Sequence, residues 1–160
     1  MDVDGTLTDG RIYYTSSGEE VKAFDVADGL GVASWTRMGR KAAIITGRES
    51  RMVSRRARDL GVEYVFQGEK RKADRLMSLL DELGLGRENC AVIGDDLNDY
   101  GMLKMAGISF APAGASATIS DMVDVTLKKR GGEGAVREMV EYLIKREGLE
   151  SEFDRLWSIG

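Results

Sequence analysis

Five short apolar runs alternate with segments whose apolar residues recur every three or four positions, and this rhythm constrains the fold more than any other feature. The runs are Lys41–Thr46, Glu63–Phe66, Cys90–Gly94, Ile108–Ala111 and Val123–Leu127. The helical segments place Val53, Ala57 and Leu60 on one face, Leu76, Leu80 and Leu83 on another, and Val136, Val140 and Leu143 on a third. Short apolar strands separated by helices predict an α/β fold, a parallel sheet covered by helices on both faces. Nothing divides residues 1–160 by repeat, low complexity or a shift of composition, so one domain is expected. Two stretches break the rhythm. Arg11–Phe24 has two β-prone arms around Ser16-Ser17-Gly18 and predicts a hairpin projecting from the sheet. The tail Glu147–Gly160 carries Leu149, Phe153, Leu156 and Trp157, a short amphipathic helix expected to pack on the domain or on a neighbour.

Composition then removes whole classes of chemistry. The chain contains no histidine, so Ser-His-Asp and Cys-His catalysis, phosphohistidine chemistry and the usual zinc sites are out. A net charge of −4 argues against a nucleic-acid-binding surface, and no run approaches 18 consecutive apolar residues, so no membrane span is expected. Cys90 stands alone, which excludes an intrachain disulfide and suits a cytoplasmic location. Its place in an apolar run predicts a buried strand residue.

What remains is carboxylate, lysine, arginine, hydroxyl and hard-metal chemistry, and three clusters offer it: Asp2-Val3-Asp4-Gly5-Thr6, Thr46-Gly47-Arg48, and Gly94-Asp95-Asp96-Leu97-Asn98-Asp99. The second and third follow strand candidates. A parallel sheet gathers the carboxyl ends of its strands on one edge, so the three clusters converge on one cleft. Asp2 and Asp4, two residues apart on extended chain, point to the same side. They suit a nucleophile and metal ligand beside a general acid and base, and Asp95 adds an oxygen ligand for a small hard cation such as Mg2+. Only Met1 precedes the first cluster, whereas a central strand runs to about five residues, so a longer first strand is expected than the one written. An EF-hand fails because Gly5 follows Asp4 directly, no phosphate-binding Gly-x-x-x-x-Gly-Lys-Ser/Thr occurs, and a cysteine-phosphatase loop fails because Asp96 stands where arginine is needed.

These clusters resemble a known family. Asp-Val-Asp-Gly-Thr, Ile45-Thr46-Gly47-Arg48, a downstream lysine and Gly-Asp-Asp-x-x-Asp look like the four motifs of the haloacid dehalogenase superfamily. The stretches DVDGTLTDGRIYY, EEVKAFDVADGLGV, RRARDLGVEYVFQG and KKRGGEGAVREM extend the likeness to the 3-deoxy-D-manno-octulosonate 8-phosphate phosphatases and to the related enzymes acting on 2-keto-3-deoxynononate 9-phosphate. The resemblance implies a Rossmann-like fold without a cap domain and a Mg2+-dependent phosphatase of a small sugar-acid phosphate. On this likeness Asp2 is the nucleophile and Asp4 the acid and base. Asp2, the Asp4 carbonyl and Asp95 hold the metal, with Asp96 and Asp99 around it. Thr46, Gly47 and Lys72 bind phosphate, Lys70 being the competing lysine. Arg48 and Arg56 contact the substrate. Arg48 favours the octulosonate, because the nononate enzymes carry glutamate there; Phe66-Gln67-Gly68 and Lys129–Gly134 are as close to the nononate enzymes. The family further implies a homotetramer, in which the hairpin closes a neighbour's site and Arg130–Gly134 lies over an adjacent one, unless that segment is an ordinary strand-to-helix turn. A non-catalytic assembly module is the remaining alternative, and the intact carboxylates speak against it.

Overall fold

The computed structural model describes residues 1–159. Strands β3 (Ala43–Ile45) and β4 (Tyr64–Phe66) pair in parallel, as do β5 (Ala91–Ile93), β6 (Ile108–Ala113) and β7 (Val125–Arg130) in the order β5-β6-β7. Met1 and Asp2 tie the two groups together. The Met1 amine donates to the Ala43 carbonyl at 2.8 Å, Ile45 N donates to the Met1 carbonyl at 3.0 Å, and Asp2 N donates to the Ile93 carbonyl at 3.1 Å. Two residues thus occupy the centre of the sheet, and Asp2 emerges at the same edge as Thr46 and Asp95.

Period-two alternation sorts the strands' side chains between two cores. Ile44, Ile93 and Phe110 join Val32, Val53, Ala57 and Val136 from helices α1 (Val26–Arg37), α2 (Arg51–Leu60) and α6 (Ala135–Arg146). Their neighbours Ile45, Val92 and Ala111 join Leu76, Leu80, Met102 and Leu103 from α3 (Lys72–Leu83) and α4 (Tyr100–Met105). The sheet is therefore covered on both faces. A cavity lined by Met1, Ala43, Leu83, Leu85, Cys90 and Ala91 opens at the opposite strand ends from the carboxylates.

The strand boundaries differ from expectation where side chains intervene. The last strand starts at Val125, because Asp124 instead accepts from Ser109 N and Ser109 Oγ, both at 2.7 Å. Cys90 sits one residue before β5 and is only half-buried, a correction to its expected place inside a strand. Helix α1 was not foreseen, since Gly29 and Gly31 lie in its interior. Both let neighbours approach closely: a Cβ on Gly29 would lie 2.1 Å from Arg56 Nη2, and one on Gly31 would lie 3.1 Å from the Arg137 Cα. The helix starts at Asp25, whose side chain accepts from Ala27 N at 2.6 Å and Asp28 N at 3.2 Å. A further short helix, α5 (Ala117–Ser120), buries Ile119.

The hairpin consists of β1 (Tyr13–Tyr14) and β2 (Glu20–Val21), which pair antiparallel with each other, Tyr14 facing Glu20. In the tail, α7 (Glu150–Trp157) lays Phe153 and Leu156 against Trp35, Met38 and Val140, and Trp157 Nε1 donates to Ser34 Oγ at 3.0 Å. Residues 131–134 form a strand-to-helix turn that rests on the chain's own first cluster: Gly132 N donates to the Thr6 carbonyl at 3.1 Å. Among the described residues, no helix is long and apolar enough to cross a membrane.

Candidate active site

The first cluster folds into a single tight turn beyond the sheet edge. The Val3 carbonyl accepts from Thr6 N, Leu7 N and Thr8 N at 3.2, 2.9 and 3.0 Å. Gly5 makes the turn possible twice over. Its φ of +98° is open to glycine, and a Cβ there would lie 2.0 Å from Asp95 Oδ2. The turn points Thr6 inward, where its hydroxyl donates to Asp95 Oδ1 at 3.1 Å.

Lys72, the first residue of α3, reaches under this turn. Its ammonium donates to Asp2 Oδ1 at 2.7 Å and to Asp99 Oδ1 at 2.6 Å, and all three residues are buried. Asp99 is held from behind, because its Oδ2 accepts from Asp95 N at 3.0 Å and Asp96 N at 3.4 Å. One oxygen from each of Asp2, Asp95 and Asp99 lies within 4.8 Å of the others. Three carboxylates around one ammonium leave an excess of negative charge. Burial, reinforced by Asp99, pushes Asp2 up to about 6, and burial, reinforced by Asp2 and Asp99, pushes Asp95 up to about 7. Burial opposes the charge on Lys72, but the two aspartates outweigh it and hold the ammonium above its ordinary value. Convergent, under-neutralised carboxylate oxygens fit a small hard divalent cation such as Mg2+.

The other expected residues divide between this cluster and its surroundings. Thr46 is buried at the end of β3, where Glu69 N donates to its carbonyl at 2.9 Å, and Gly47 follows it on the same edge. Lys70 is exposed, whereas Lys72 is 2% exposed and touches the carboxylates. Asp96 is exposed and caps the 3-10 turn Leu97–Asp99, its Oδ1 accepting from Leu97 N at 2.8 Å. The Asp4 carboxylate turns away from the cluster to Lys22, with Arg48 Nε at 3.9 Å from its Oδ2. Arg56 lies apart, its Nη2 donating to the Asp25 carbonyl at 2.9 Å and its guanidinium stacked over Phe24 at 5.7 Å.

Two residues escaped the sequence reading. The Lys22 side chain is 2% exposed and joins Asp4 to Glu20, and Glu20 Oε1 in turn accepts from Arg48 Nη2 at 2.9 Å. The signal was their i, i+2 spacing, which puts Glu20 and Lys22 on one side of an extended arm. Only the hairpin's placement over the sheet edge turns that side toward Asp4.

Comparison with known proteins bears on this site. Residues 64–139 match the haloacid dehalogenase-like hydrolase family. The Escherichia coli 3-deoxy-D-manno-octulosonate 8-phosphate phosphatase is 39% identical over 132 residues, 82% of this chain and 70% of its own. Its Haemophilus influenzae counterpart is 39% identical over 153 residues, 96% of this chain and 85% of its own. The chain belongs to the 3-deoxy-D-manno-octulosonate 8-phosphate phosphatase family, within the haloacid dehalogenase-like hydrolases. The family likeness extends to three dimensions. The Moraxella catarrhalis phosphatase, solved with magnesium, phosphate and KDO, superposes with a TM-score of 0.92 at 42% identity, over 99% of this chain and 89% of that one. A cobalt-bound Haemophilus influenzae member gives 0.90 at 38% identity, over 96% and 90%. The fold is α/β without a cap, the described residues add a projecting hairpin, and the protein is a phosphoric monoester hydrolase.

Proposed function

We propose that this enzyme hydrolyses 3-deoxy-D-manno-octulosonate 8-phosphate to the free sugar acid and phosphate, with Mg2+ as cofactor. The observation that carries the reading is buried Lys72 bridging Asp2 and Asp99 beside Asp95. On this reading a nucleophile, a phosphate-neutralising cation and a divalent-metal site meet at one point. The substrate follows from the relatives' established names.

Lys72 fixes Asp2 Oδ1, which leaves the second oxygen to attack phosphorus. The Asp2–phosphorus bond forms as the bond to the sugar oxygen breaks, and Asp4 gives that oxygen a proton. Asp4 then takes a proton from water as the water cleaves the aspartyl-phosphate, which returns Asp2 to its carboxylate and Asp4 to its protonated form. Thr46 and Gly47 hold phosphate oxygens, and Lys72 offsets their charge throughout. Arg48 serves the sugar acid; Arg56, which lies apart from the carboxylates, is assigned to it by the family likeness alone. Asp2, Asp95 and the Asp4 carbonyl hold the metal, with Asp99 and Asp96 around it; when bound, Mg2+ neutralises charge on the phosphate and the attacking carboxylate.

Phosphate release from octulosonate 8-phosphate, with Mg2+ or with EDTA, tests the proposal. Release that needs Mg2+ and falls by about 10³-fold or more in Asp2→Asn is expected. Silence from folded wild-type protein with Mg2+ overturns it.

The enzyme is further proposed to work in the cytoplasm as a homotetramer. Exposed Ile12, Tyr14 and Val21 on the hairpin give a second copy an apolar surface to cover, and a lone thiol suits a reducing compartment. Light scattering that returns a monomer mass at micromolar concentration overturns the assembly.

A further inference from the structure

Each of the two aspartates in the first cluster is paired with a buried lysine that bridges it to a second carboxylate. Lys72 joins Asp2 to Asp99, and Lys22 joins Asp4 to Glu20. The two bridges differ in what they are anchored to. Asp99 is wholly buried and bound by two backbone amides of its own turn. Glu20 belongs to a two-residue strand that pairs only with the other arm of the hairpin, next to exposed Tyr14 and Val21. It can leave without disturbing either core.

Glu20 also stands where a substrate's carboxylate would be received. A single oxygen, Oε1, accepts from Arg48 Nη2 at 2.9 Å and lies 3.4 Å from Lys22 Nζ. Both cations also face Asp4, the residue beside the leaving sugar oxygen, and one ammonium spans the two carboxylates. A sugar-acid phosphate whose ester oxygen lies at Asp4 brings its own carboxylate toward this pair of cations. Arg48, 44% exposed along its side chain, is the member open to it.

We propose that Glu20 is an internal stand-in for the substrate carboxylate, holding Arg48 and Lys22 in place until the sugar acid displaces it. This rests on the proposed function and deepens it, making Glu20 a specificity-determining residue. A phosphate ester with a carboxylate replaces what it removes, charge for charge, whereas a neutral sugar phosphate leaves Glu20 on the two cations. Selection for a sugar acid then needs no cap domain.

The test is calorimetric titration of free 3-deoxy-D-manno-octulosonate into the enzyme with Mg2+ and inorganic phosphate present. Glu20→Gln removes the competing charge and is expected to tighten binding about five- to tenfold. Glu20→Asp keeps the charge and is expected to stay near wild type. In turnover, the ratio of KM for p-nitrophenyl phosphate to KM for the sugar-acid phosphate rises in Glu20→Gln, a split that a merely structural role would not produce. Unchanged or weaker binding in Glu20→Gln, or no binding by either protein, overturns the proposal. Should Glu20→Gln fail to fold, a crystal structure of the wild type with the free sugar acid decides: Arg48 on the ligand carboxylate supports the exchange, and Arg48 still on Glu20 overturns it. Failure of the reaction itself is separate, and shows as wild-type enzyme that releases no phosphate from octulosonate 8-phosphate.

Discussion

Lys72 donates to both Asp2 and Asp99, and the role proposed for it at the phosphate comes on top of that ionic one. Its ammonium pairs with both Asp2 and Asp99, and removing one partner of a buried ionic group leaves the others uncompensated. Lys72→Met should therefore lower phosphate release by at least about 10²-fold. It should also destabilise the fold by about 3–5 kcal/mol near neutral pH. The penalty should shrink toward pH 5, because Asp2 and Asp95, held up to about 6 and about 7, take up protons there. Urea unfolding at both pH values measures this; an equal loss at each would mean that Lys72 supports the fold by packing alone. Asp2, Asp95 and Asp99 were legible in the sequence, since strand ends and one sheet edge suffice to bring their clusters together, and Lys72 was singled out by the family likeness. Glu20 and Lys22 were not. Their meeting with Asp4 depends on how the hairpin folds back, and hairpin direction leaves no periodic trace.

At the scale of elements, the turn after β7 buttresses the first-cluster turn by close contact between backbones. A Cβ on Gly131 would lie 1.8 Å from the Gly5 carbonyl oxygen and 2.9 Å from that of Thr8. Gly131→Ala must push the two turns apart, and Gly5 adjoins Asp4 in sequence and Asp95 in space. The expected result is a loss in kcat on the order of 10²-fold. Gly18→Ala is the matched control: Gly18 has a φ of +85° but nothing within 4 Å of a Cβ. It should cost about 1 kcal/mol in stability and leave turnover near wild type. If Gly131→Ala keeps full kcat, the turn is only a connector. The same kind of contact explains why α1 was hidden. Its interior glycines lower helix propensity, yet they admit Arg56 and α6 to close packing. By contrast α2, α3 and α6 announce themselves through apolar spacing, because each turns regularly spaced apolar residues into the interior.

For the whole molecule, the buried carboxylates set how stability depends on pH and on metal. Burial is the leading cause that lifts Asp2 and Asp28 to about 6 and Asp95 to about 7, against an ordinary value near 3.8. The folded chain therefore binds more protons than the unfolded chain between about pH 4 and 7, so unfolding free energy falls as pH rises through that window. On ionising, Asp2 and Asp28 each cost up to about 3 kcal/mol of stability and Asp95 up to about 4 kcal/mol. Asp28 lies outside the site. Its Oδ1 accepts from Arg137 N at 2.8 Å at the start of α6, while its buried Oδ2 has no hydrogen-bond partner. This separation lets the contributions be measured apart. In EDTA, the melting temperature should fall between pH 5 and pH 8. Mg2+ at about 10 mM should flatten the fall, because a cation bound to the folded state alone stabilises it and offsets the charge on Asp2 and Asp95. Some slope should survive from Asp28, and Asp28→Asn should remove it, since the amide oxygen still accepts from Arg137 N without bringing a charge into the interior. A slope that ignores Mg2+ would show that Asp2 and Asp95 do not hold the metal. One that survives both Mg2+ and Asp28→Asn would locate the pH dependence elsewhere in the fold.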